Sequence, residues 1–120
     1  MLNWVSEQEK VLFEMLELVY VTEENIIKIN REFLDRAYVT DIISFRYDED
    51  KTNAAIEGTL YCCAPRIQEQ SEEFAESEEQ EFKRIFIHGL LHLIGYEDGS
   101  KEQKKKMTSL ENKYLKLAKN

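Results

Sequence analysis

Both histidines of this chain, His88 and His92, fall inside a run of otherwise almost wholly apolar residues, 85–94. Ile85, Phe86, Ile87, Leu90, Leu91, Leu93 and Ile94 leave no polar face, so the spacing predicts a helix buried nearly all round. Residues four apart on a helix share a face, one turn apart. That puts two imidazoles together inside the fold, where each needs a satisfying partner, and a metal ion supplies one. A pair of hydrogen-bonded core histidines is the plainer alternative.

Gly95 supplies a left-handed stop three residues after His92, and Asp98 falls three residues further on. The pattern His-x-x-x-His-x-x-Gly-x-x-Asp has the spacing of the metzincin ligand set, with aspartate in third place. Three protein ligands leave a fourth position open on zinc, as in catalytic rather than structural sites. The expected centre is one zinc per chain on His88, His92 and Asp98, with Glu97 the nearest substitute for Asp98. Zinc proteases carry Glu directly after the first histidine as general base. Here Gly89 stands in that place, which argues against a metalloprotease.

The remaining elements follow from caps and periodicity. Residues 2–10 read as a short amphipathic helix, and Glu17 to Val21 as a strand. Thr22 caps a helix running to about Leu34, with an apolar face of Ile26, Ile27, Ile29 and Phe33. Asp41 to Tyr47 alternates as a strand, residues 48–53 form a polar turn, and residues 54–63 make another strand. Pro65 fits the start of a helix of about ten residues. Ser77 with Gln80 and Ser100 with Gln103 are capping pairs that open the last two helices. Three strands and four or five helices without repeat or linker indicate one α+β domain over residues 1–120.

Composition limits the functions. With 42% hydrophobic and 33% charged residues the chain is an ordinary globular one. No run approaches the ~18–20 apolar residues that span a bilayer. The start, Met1 to Trp4, lacks a secretory pattern, so a cytoplasmic location is expected. Cys62 and Cys63 are neighbours on a strand and point to opposite faces, which reads as two small core hydrophobes without a disulfide. A thiolate at the metal is the alternative. A net charge of −8 argues against indiscriminate nucleic-acid binding. Seven glutamates between Glu69 and Glu81 form one acidic run, and Lys101, Lys104, Lys105 and Lys106 one basic cluster.

The stretch His88-Gly89-Leu90-Leu91-His92-Leu93-Ile94-Gly95-Tyr96 closely resembles the YbeY family of bacterial rRNA-maturation metalloproteins, whose pattern is His-Gly-x-Leu-His-Leu-x-Gly-Tyr-Asp-His. Asn30-Arg31-Glu32-Phe33-Leu34 and Thr40-Asp41-Ile42-Ile43-Ser44-Phe45 resemble the family's second motif. Gly58 before a strand, and Met107 with Leu110 and Glu111 in the last helix, also fit. The resemblance implies a three-layer, metzincin-like α+β fold with a small mixed sheet. It also implies a single-strand-specific endoribonuclease in 16S rRNA 3′-end maturation and ribosome quality control. Its partners would be rRNA and the small ribosomal subunit, with no membrane and no DNA.

Three positions and one segment depart from the family. Asp98 replaces the usual third His, Leu34 stands where an Arg is typical, and Thr59 where an Asp is typical; the family's customary N-terminal strand is expected to be shortened or missing. Arg36 and Arg66 are the candidate phosphate contacts, with surface arginines as the alternative. Thr40, Asp41 and Ser44 are candidates for shaping the cleft, or are simply turn and strand-start residues. No general base stands out. The alternative function is a non-catalytic, metal-stabilised factor of the small ribosomal subunit, and the loss of the Arg favours it.

Overall fold

Local signals and tertiary packing agree closely in the computed structural model of the chain, which describes residues 2–35, 39–48 and 55–118. The order is α1 (Leu2–Glu9), β1 (Phe13–Val21), α2 (Glu23–Leu34), β2 (Ile42–Arg46), β3 (Ile56–Cys63), α3 (Ala64–Glu73), α4 (Glu78–Ile94) and α5 (Lys101–Ala118). This is a small α+β fold, as the sequence predicts.

The caps account for the helix starts. The Thr22 hydroxyl accepts from the Asn25 N–H at 3.1 Å, and the Ser77 hydroxyl from Gln80 at 3.1 Å, each satisfying an orphan donor. At α5 the capping box is reciprocal. Ser100 Oγ accepts from the Gln103 N–H, and Gln103 Oε1 accepts from the Ser100 N–H. Pro65 sits in the first turn of α3, where its missing N–H costs nothing.

The three strands form one mixed sheet in the order β1-β3-β2. β1 runs parallel to β3, and β2 antiparallel to it. Strand alternation then divides the core. Ile42, Leu60 and Cys62 face α4 and pack with Ile87, Leu90 and Leu91, while Ile43 and Cys63 face the opposite way onto Ile26 of α2. The two adjacent cysteines therefore serve two separate cores, both free and buried, as expected. Each fully buried Ile or Leu contributes about 1.5–3 kcal/mol of burial.

Two differences from the sequence reading matter. β1 starts at Phe13 rather than Glu17, because its whole length pairs with β3. Asp48, read as a turn residue, is buried: it accepts both arms of the Arg46 guanidinium at 2.8 and 3.0 Å and the Glu57 N–H at 3.2 Å. Arg46 also donates to the Leu93 carbonyl, which ties the end of α4 to the sheet. Residues 49–53 of the expected turn lie outside the described residues. Among those described, no helix is long and apolar enough to cross a membrane.

Candidate metal centre

α4 is held against the sheet at the level of its histidines. A Cβ on Gly89 would lie 2.6 Å from Ile42 Cδ1 and 3.1 Å from Leu60 Cδ2, so glycine lets the helix approach β2 and β3 closely. Ser44 Oγ donates to the Gly89 carbonyl at 3.2 Å. Ile87, Leu90 and Leu91 are fully buried on the packed side, and His88 and His92 stand half-buried at the remaining open edge.

Gly95 has φ 125°, and the Tyr96 N–H turns back to the Leu91 carbonyl at 3.0 Å. The Tyr96 hydroxyl donates to Glu9 at 2.5 Å, anchoring the reversed chain on α1. This reversal carries Asp98 back over the histidines. Its Oδ2 lies 3.4 Å from His88 Nε2 and 3.5 Å from His92 Nε2, and the two Nε2 atoms are 3.0 Å apart. A tetrahedral zinc with bonds of about 2.0–2.1 Å spaces its ligand atoms by about 3.3 Å. The observed triangle fits such an ion. Among the described residues, these three are the His, Cys, Asp or Glu side chains that converge in this way. Glu97 instead accepts from Gln103 Nε2 at 3.4 Å, and the buried cysteines take no part.

The last helix completes the site. Glu111 Oε2 sits 2.7 Å from His88 Nδ1, the short spacing of a charge-assisted hydrogen bond. With Nδ1–H donating to Glu111, the His88 Nε2 lone pair is left facing the triangle. Glu111 Oε1 accepts from Arg84 Nη1 at 3.0 Å, and Arg84 Nη2 donates to Asn112 at 2.9 Å. Burial pulls the His88 pKa down, but the hydrogen bond and charge of Glu111, with the charges of Asp41 and Asp98, outweigh it and leave it above its ordinary value. The site thus favours positive charge, whether proton or metal cation.

The other candidates are placed unequally. Ser44 is brought to α4 by its bond to Gly89, and the charge of Asp41 helps to raise the His88 pKa. Thr40 precedes β2 and is half-buried. Arg66 lies on α3 and donates to Glu69 and Glu73 at 3.1 and 3.2 Å. Leu34 is exposed in the last turn of α2, Thr59 is buried in β3, and Arg36 lies outside the described residues. Glu111 and Arg84 were not singled out as site residues. The sequence signal for Glu111 was its place in the final-helix pattern, but a contact spanning 23 residues needs the fold to reveal it.

Known proteins share this arrangement of sequence and fold. A family profile described as Endoribonuclease YbeY matches residues 1–119. A protein of Chloroherpeton thalassium named endoribonuclease YbeY is 42% identical over 111 residues, covering 92% of this chain and 77% of that protein. One of the same name from Cytophaga hutchinsonii is 33% identical over 118 residues, covering 98% and 81%. The solution structure of a Thermotoga maritima protein matches with a TM-score of 0.63 at 27% identity, covering 95% of this chain and 73% of that one.

Proposed function

This chain belongs to the endoribonuclease YbeY family, and on that premise we propose that it is a zinc-dependent endoribonuclease of single-stranded rRNA. The observation that carries the metal dependence is the triangle of His88 Nε2, His92 Nε2 and Asp98 Oδ2, with edges of 3.0, 3.4 and 3.5 Å. The donor set fits zinc: two imidazoles and one carboxylate are ordinary ligands, and three protein ligands leave a position open. When bound, the ion supplies Lewis-acid polarisation of a phosphodiester and acidification of water.

The chain's own residues do the rest. Asp98 offsets one unit of the ion's charge, which a third imidazole would not. Glu111 fixes the His88 ring and its tautomer, and Arg84 holds Glu111. Gly89 offers no proton acceptor, which sets this helix apart from zinc peptidases. Arg36 and Arg66 are the proposed phosphate contacts; Arg66 reaches one by exchanging its exposed carboxylate partners for phosphate. The proposal extends to 16S rRNA 3′-end maturation and ribosome quality control in the cytoplasm, on the small ribosomal subunit, with a metzincin-like placing of the ion on α4.

The test is cleavage of a labelled single-stranded RNA, a duplex of the same sequence and a single-stranded DNA. Cleavage of the first alone is expected, abolished by a chelator and restored by zinc. With a net charge of −8, RNA binding should weaken steeply with salt, and Leu34→Arg should strengthen it. RNA cleavage that persists after complete metal removal would overturn the metal-dependent reading.

A further inference from the structure

Beside the metal centre, between the start of α4 and the end of α5, lies a cavity of about 180 Å3 that the chemistry above does not use. Arg84 borders both. Its guanidinium is held by Glu111, which orients His88, and by Asn112, which lines the cavity. Glu76, Gln80, Glu81 and Lys116 complete the polar part of the wall.

Glu81 is the unusual member. It is 3% exposed, and among the described residues its carboxylate makes no hydrogen bond or ion pair; since none of their side-chain oxygens is both sealed and unpartnered, its oxygens open onto the cavity. Burial raises its pKa, opposed by the charge of Arg84 and reinforced by Asp41, Glu76 and Glu111. A carboxylate confined to so small an opening is poorly hydrated, and a ligand presenting N–H groups makes good that deficit. The mixed wall limits what the ligand is. Arg84 and Lys116 disfavour a simple cation, and Glu81 with Glu76 disfavours a simple anion. A neutral planar group with donors on one edge and acceptors on another suits it. Guanine has that pattern: N1–H and the N2 amino group are adjacent donors, and O6 and N7 are acceptors that Arg or Lys pairs with. Single-stranded RNA is read through splayed-out bases stacked on aromatic rings or guanidinium planes. The Arg84 plane is already fixed by two partners.

We propose that this cavity is a guanine subsite for the RNA substrate, with Glu81 accepting from the base's N1–H and N2 amino group, the Arg84 plane stacking on its ring and Lys116 serving its O6 and N7 side. The subsite rests on the ribonuclease reading and would give the enzyme a preference for guanine near the cleaved bond.

The experiment is an NMR titration of the zinc-loaded protein with GMP, IMP and UMP, following the side-chain amides of Gln80 and Asn112. GMP is expected to bind about ten-fold tighter than UMP and to shift both amides, with IMP, which lacks the N2 amino group, in between. Glu81→Gln keeps the shape but turns one acceptor into a donor, and should bring GMP down to the level of UMP. Equal affinity for all three nucleotides in the parent would overturn the proposal, and that ranking decides the matter even if the variant fails to fold. A GMP preference unchanged in Glu81→Gln would overturn it too. Cleavage of single-stranded RNA by the same protein separates the two readings. Cleavage without guanine preference defeats the subsite alone, whereas GMP selectivity without any cleavage defeats the ribonuclease reading and leaves a nucleotide site.

Discussion

Removing the Glu111 carboxylate should weaken metal binding far more than it weakens the fold. Its Oε2 takes the His88 Nδ1–H at 2.7 Å, and its Oε1 takes Arg84 at 3.0 Å, with the residue only 7% exposed. Groups that orient a metal-binding imidazole are worth about 10–100-fold in affinity, or about 1.4–2.7 kcal/mol. Glu111→Gln keeps an acceptor for Nδ1–H but loses the charge and turns an N–H toward Arg84, so the lower end, about 10-fold, applies. Glu111→Ala also frees the ring and its tautomer, so about 100-fold applies. The Arg84 pair contributes less to folding. Its side chain is 34% exposed, and screened pairs of this kind are worth about 1 kcal/mol or less. Competition with a chromogenic chelator gives the affinities, and urea unfolding of the metal-free proteins gives the stabilities. Glu102→Gln, on the exposed side of α5, is the control and should change neither. Parent-like zinc affinity in a folded Glu111→Ala protein would refute the orienting role.

Three further outcomes follow from the packing. Gly58→Ala should cost about 1–3 kcal/mol in urea unfolding, since its Cβ would meet the Phe45 carbonyl oxygen at 2.7 Å and Leu93 Cδ2 at 2.9 Å. Gly89→Ala should cost less, because Ile42 Cδ1 is a side-chain end that can swing and Ala gains about 1 kcal/mol of helix propensity. Arg46 holds the Asp48 carboxyl well below the usual carboxylate range, against the opposing effect of burial. A group with a depressed folded pKa stabilises above its unfolded value, about 3.9, and loses that contribution as the pH falls below it. The stability gap between parent and Asp48→Asn should therefore be constant above about pH 5 and narrow on acidification; a gap that widens on acidification contradicts the pairing. Burial pushes the Cys62 thiol up to about 12 and the Cys63 thiol up as well, so neither should react quickly with a thiol reagent at pH 8 until denaturant is added.

Much of the site was legible because its signals are local. A histidine pair one helical turn apart, a glycine that ends the helix and an aspartate three residues later are all set by backbone geometry over 11 residues, 88–98. The caps at Thr22, Ser77 and Ser100, and the opposite faces of Cys62 and Cys63, are local in the same way. Long-range pairing was not legible. The extension of β1 back to Phe13 depends on its register with β3, which no local pattern fixes. Asp48 looked like a turn residue because the Glu57 N–H meets it only when β2 and β3 pair, and the Leu93 carbonyl that fixes Arg46 beside it comes from α4. Glu111 and Arg84 sit on helices whose polar residues look alike in sequence, and only the packing of α5 on α4 shows that Glu111 reaches His88 and Arg84 reaches Glu111.

The central claim is that His88, His92 and Asp98 together hold one zinc ion. The direct measurement is chelator competition with zinc across the parent, Asp98→Ala and Asp98→His, with bound metal counted per chain. The parent should hold about one ion, Asp98→Ala should lose most of the affinity, and Asp98→His should retain it, since imidazole and carboxylate are both ordinary zinc ligands. Parent-like affinity in Asp98→Ala would contradict the assignment of the third ligand, and full metal retention in a His88→Ala/His92→Ala double variant would contradict the site itself.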